Sequence, residues 1–130
     1  MRTFAVLSIA AFAALSSTTP STAAERYDGA WHIRMVKDAG LCDKDSFRYN
    51  ILIREGAVTY RPDPGDDPMN FSGQVNPGGQ VQIAASRGLA RVAASGTLQG
   101  GSGSGTWRLP LLGCTGRWTA ERTGPVQASR

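Results

Sequence analysis

Histidine occurs once in the 130-residue chain and cysteine twice, too few for a multi-ligand zinc or iron–sulfur site built from those residues. Lysine is nearly absent, so arginine supplies 12 of the 14 basic side chains; against 10 Asp+Glu the formal net charge is +4. The arginines are scattered, with no basic run to form the clustered face that nucleic-acid recognition uses. No apolar run reaches the about 18–20 residues that a membrane-crossing helix needs. The length allows one domain, with no room for a TIM barrel or a dinucleotide-binding half plus a substrate domain. What remains, 41% hydrophobic and 18% charged, is the composition of an ordinary globular chain.

Met1 and Arg2 precede an apolar run of 12 residues, 4–15, interrupted by Ser8. A small, polar stretch follows, with Pro20 to break a helix and Ala residues at 23 and 24. This is the layout of a cleaved export signal over residues 1–24, leaving 25–130 as one domain in a secreted or periplasmic protein. Loss of Arg2 leaves +3 over 106 residues. In an oxidising compartment the even pair Cys42 and Cys114 is expected to form a disulfide. The two lie 72 residues apart, and closing such a loop stabilises by about 4 kcal/mol in the chain-entropy model.

Period-2 alternation recurs along the mature chain, and no convincing helix interrupts it. Trp31, Ile33 and Met35 alternate with His32 and Arg34. Phe47, Tyr49, Ile51 and Ile53 alternate with Arg48, Asn50 and Arg54. Glu55 and Gly56 turn into the next strand, the proline-rich stretch 61–68 reads as a loop, and residues 76–79 supply another turn. Val81, Ile83 and Ala85 share one face, as do Val92, Ala94, Gly96 and Leu98. Residues 100–105 read as a turn or flexible link and 106–109 as a short strand. Gly116, Trp118 and Ala120 share a face of the last strand, and 124–130 reads as a disordered tail. About eight short strands at this spacing predict an all-β fold, a single small antiparallel up-and-down barrel. Cys42 follows the first strand and Cys114 precedes the last, so antiparallel pairing of those strands brings both to one end. Gly73, Gly96, Gly105 and Gly116 fall on inward positions, where they make room either for large neighbours or for a ligand.

Gly29, Ala30 and Trp31 resemble the Gly-x-Trp opening of lipocalin-like (calycin) barrels, a group that includes avidins and bacterial metalloprotease inhibitors. The resemblance implies an Arg near the end of the last strand that stacks on this Trp and closes the barrel. Arg122 is the matching position, with Arg117 second. Mature size, one disulfide and the export signal look most like the small secreted metalloprotease-inhibitor barrels. Those inhibitors carry an N-terminal trunk, whereas only residues 25–29 precede the motif here.

No motif for chemistry emerges. A catalytic His32 would need an orienting carboxylate and a haem-ligating one an apolar pocket, so on the outward face of its strand it reads as a solvated side chain. Residues 101–105 place Gly where a nucleophile elbow needs Ser, and no phosphate-cradling loop occurs. Asp38, Asp43 and Asp45 cluster near Cys42, and Asp63, Asp66 and Asp67 in the proline loop, without the spacing of a calcium-binding hand. Arg34, Arg48, Arg54, Arg61, Arg108 and Arg117 would stud the outer wall as a solubilising belt or a patch for an acidic partner. The expectation is a non-enzymatic binding protein with no cofactor and no metal. A small apolar ligand would lie in the lumen beside Trp31, Phe47, Tyr49, Trp107 and Trp118. A protein target, such as a protease to be inhibited, would instead meet loops 61–68 and 100–105 at one open end. A structural envelope protein with no discrete ligand is the third reading.

Overall fold

The computed structural model describes residues 26–66 and 68–125, with isolated positions 3, 5, 10 and 11 upstream. The expected export signal and the end of the tail, 126–130, therefore lie outside the described residues or nearly so. Eight strands run up and down: β1 Gly29–Ala39, β2 Ser46–Arg54, β3 Ala57–Tyr60, β4 Asn70–Val75, β5 Gln80–Arg87, β6 Ala90–Gln99, β7 Ser102–Leu109 and β8 Cys114–Gly124. Each pairs antiparallel with its successor, and β8 returns to β1 to close the barrel. Closure gives both terminal strands a partner on each side; the seam is thinnest at β3, which pairs with β4 only through Ala57 and Val58.

The inward set follows the alternation in the sequence: burial rises and falls residue by residue along β1, β6 and β8. Up-and-down winding sorts the connections between two ends. Turns 55–56, 76–79 and 100–101 close the end where β1 begins, here called the floor. Loops 40–45 and 61–69, turn 88–89 and the 3-10 turn Pro110–Leu112 crowd the other end, the mouth. At the floor, Glu55 and Gly56 both take positive φ, 52° and 81°, the combination that matches the twist of a two-residue hairpin. The Asp28 carboxylate steadies that turn by accepting from the Glu55 amide at 2.8 Å.

The floor half is solidly packed around Trp31, Ile53, Val58, Val81, Leu98 and Ala120. Higher up, missing side chains make room for indoles. Gly96 and Gly105 face each other across β6 and β7. A Cβ would fall 2.5 Å from the Trp118 ring at the first position and 2.7 Å from it at the second. At Gly116 it would fall 2.7 Å from Nε1 of Trp107. The space these glycines open is thus filled by the protein's own tryptophans.

Two boundaries differ from the sequence reading. Only Gly100 and Gly101 form the turn between β6 and β7; the glycine–serine alternation that follows is strand, paired on both sides. Glycine weakens a strand through lost packing, but here two ladders supply the hydrogen bonds, and Leu98 covers Gly103 as the Trp118 indole covers Gly105. Gly124, expected in the tail, pairs with Ala30 and ends β8. The disulfide joins Cys42, in loop 40–45, to Cys114, the first residue of β8, with Cα atoms 6.1 Å apart. It staples the mouth, where β1 and β8 part from each other.

Candidate functional site

The aromatic residues expected along the lumen separate between the two ends. Trp31 belongs to the floor: it is 1% exposed and its Nε1 donates to the carbonyl of Tyr27 at 2.8 Å. The Arg122 guanidinium stands 5.0 Å from the Trp31 ring centroid and donates to the carbonyl of Arg26 at 2.8 Å. Gly29 lies beside them at a φ of +142°, where a Cβ would meet the Gly124 carbonyl oxygen at 2.6 Å. Gly29, Trp31 and Arg122 therefore seal the barrel, and Trp31 lines no part of the open cavity. Tyr27, which the sequence reading passed over, is buried here and completes the seal. Its one signal in sequence is an aromatic four residues before the tryptophan.

Phe47, Tyr49, Trp107 and Trp118 meet at the mouth, around a cavity of about 110 Å³. Met69 and Phe71, from loop 61–69 and β4, complete its far wall. Phe47 meets Trp107 edge-on at 6.0 Å between centroids, and Tyr60 joins Tyr49 to Phe71 at 6.0 Å on either side. Such offset and edge-on pairs fix ring positions as well as burying area. Both mouth indoles have their polar atoms occupied: Trp107 Nε1 donates to Val36 O at 3.1 Å and Trp118 Nε1 to Ser95 O at 3.0 Å. The Tyr49 phenol is the ionisable group in the lining. Burial, with a smaller push from neighbouring Tyr60 and Asp66, raises its pKa, so it stays a neutral hydroxyl at physiological pH. The cavity can hold hydrocarbon or an aromatic ring and offer one hydroxyl; it presents no charge.

The other residues singled out in the sequence lie on the outer wall. His32 is half-buried, its Nδ1 3.1 Å from Asn50 Oδ1; Asn50 in turn donates to Asp63 at 3.1 Å. This polar chain ties loop 61–69 to β1 and β2. Asp38 takes a fork of contacts from Arg117 at 3.0–3.3 Å, which lowers its carboxyl pKa, and Asp45 meets Lys37 at 3.3 Å. Two of the three carboxylates near Cys42 are thus engaged by cations, and no group of three potential metal ligands occurs among the described residues. Asp67 of the second cluster lies outside the described residues. The two loops expected to share one open end lie at opposite ends: 61–69 at the mouth, 100–101 at the floor. Three antiparallel strands, β4 to β6, lie between them, and an odd number of strands places two connections at opposite ends.

Together these features define a class: a small, closed, antiparallel barrel with a packed floor and a disulfide-stapled, apolar mouth. Comparison with family models, curated proteins and solved structures finds no match. No helix among the described residues is long and apolar enough to cross a membrane.

Proposed function

We propose that this is an exported, calycin-like binding barrel whose mouth takes a small apolar group. The observation that carries this reading is the apolar cavity of about 110 Å³ ringed by Phe47, Tyr49, Phe71, Trp107 and Trp118. An apolar cavity of about 150 Å³ stays dry and accepts benzene, whereas drug-sized ligands occupy about 300–1,000 Å³. The mouth therefore suits one ring or a short branched alkyl group, free or at the end of a larger molecule. Haem or a whole fatty acid would not fit inside. The Gly29, Trp31 and Arg122 seal and the Cys42–Cys114 bridge support the calycin-like and exported parts of the reading.

Titration of intrinsic tryptophan fluorescence with toluene, indole, palmitate and haem tests it. Burying about 150–200 Å² of ring surface at about 25 cal/mol per Å² gives about 4–5 kcal/mol, or about millimolar affinity. Toluene should shift Trp107 and Trp118 emission in that range, and Ala94→Leu, which fills the cavity, should abolish the response. If no single-ring probe changes the emission, or Ala94→Leu responds as the parent does, the reading falls. Slowed cleavage by a protease, with no fluorescence response, would favour the inhibitor alternative.

A further inference from the structure

Among the described residues four large apolar side chains stand exposed: Leu41 at 82%, Leu89 at 87%, Leu111 at 62% and Leu112 at 39%. All four lie at the mouth, on three separate connections. Leu41 donates its amide to the Leu112 carbonyl at 3.0 Å, the turn Pro110–Leu112 packs against β6, and Leu89 sits in the turn that opens β6. The leucines thus form one arc over the β5–β8 side of the rim and on to β1. Charge is distributed with the same polarity. Between Asp67 and Glu121 the sequence holds no acidic residue, so β4 through β7 and their connections carry arginine alone. Arg91 and Arg108 stand on the outer faces of neighbouring strands just below the leucines, flanking an open cleft of about 460 Å³ capped by Pro110. Neither is ion-paired among the described residues. Asp63 and Asp66 stand on the opposite side of the rim, in loop 61–69, and Asp43 and Asp45, the latter paired with Lys37, follow Leu41 at the end of the arc.

We infer that this arc docks the barrel on an anionic lipid surface, leucines in the acyl layer and Arg91 and Arg108 at the depth of the phosphates. Three properties favour a bilayer over a protein. The leucines project from three separate connections, and a fluid surface receives separate knobs without complementary pockets. The order along the barrel axis, apolar tips and then cations, is the order of acyl chain and headgroup. The acid-free half of the wall complements an anionic leaflet, while the aspartates at the far side of the rim tilt that side away. The inference is independent of the cavity: a barrel with a filled mouth keeps the arc.

Co-sedimentation with phosphatidylglycerol vesicles, and in parallel with phosphatidylcholine vesicles, tests it. The parent protein should bind phosphatidylglycerol more tightly, and added salt should weaken that binding. Leu89→Ser with Leu111→Ser should reduce binding to both lipids by about tenfold per leucine. Arg91→Ser with Arg108→Ser should lose about fivefold per residue on phosphatidylglycerol alone. Both pairs are surface changes, and an unchanged near-ultraviolet dichroism spectrum confirms that each variant folds. Ala94→Leu should bind vesicles as the parent does, which separates this test from that of the cavity. No binding of the parent to phosphatidylglycerol overturns the inference, as does binding that either double variant leaves intact. A parent dimer in sedimentation velocity that Leu89→Ser with Leu111→Ser dissolves overturns it too, and makes the arc a contact between copies.

Discussion

Replacing Gly105 with Ala separates two reasons for having glycine inside a barrel. The new Cβ would lie 2.7 Å from Cε2 of Trp118 and 2.6 Å from the Gly96 Cα, and closer still to the Ser95 carbonyl oxygen. Ordinary carbon contacts begin near about 3.5 Å, so the indole must retreat by about 0.8 Å. Retreat pulls Trp118 Nε1 from Ser95 O, now 3.0 Å away, at a cost of about 1 kcal/mol. Overpacking adds about 1–3 kcal/mol, and the lower chain entropy of unfolded alanine returns about 0.5–1 kcal/mol. The net loss is about 2 kcal/mol, which for a barrel of this size lowers Tm by about 10 °C. Urea unfolding followed by tryptophan emission reads this directly, with Gly101→Ala as the control. Its nearest neighbour would be 4.0 Å away, and its stability should stay within about 0.5 kcal/mol of the parent. If Gly105→Ala is as stable as the parent yet loses its response to toluene, the glycine keeps room for a ligand. The indole-filling account is then wrong.

Two further predictions concern the mouth. Cys42→Ser with Cys114→Ser should lower stability by about 4 kcal/mol in urea, while the parent under reducing conditions matches the double variant. Equal stability with and without the bridge would mean that the β1–β8 pairing alone holds the barrel shut. Tyr49 ionises above the ordinary tyrosine range because it is buried. The folded state therefore holds this proton more tightly than the unfolded chain, so stability is level below about pH 10 and falls as pH rises beyond it. In an ultraviolet titration one tyrosine should ionise late, and Tyr49→Phe should remove that late step.

The strand plan was legible because a sheet with one buried face writes its period directly into the sequence: Trp31, Ile33 and Met35 against His32 and Arg34 leave little alternative. Closure was legible from Cys42 and Cys114 together, since two cysteines flanking the central strands can meet only if the outer ones do. Residues 102–105 misled because glycine contributes no apolar beat; their strand is specified by partners on β6 and β8, which local pattern does not contain. Trp31 misled for a related reason. Facing inward says nothing about depth along the axis, and depth decides between seal and cavity wall. The leucine arc had no period at all. Its members sit in turns, where the surviving hint is an apolar residue at a position that turns usually give to polar ones.

Arg26 and Gly124 both lie at the floor, the first held by Arg122 and the second paired with Ala30. A tag or solid support fastened at either of these positions would therefore leave the opposite rim facing outward. For the same reason a short peptide joining residue 124 to residue 26, with a new start cut at Leu89, should yield a circular permutant that keeps every strand neighbour.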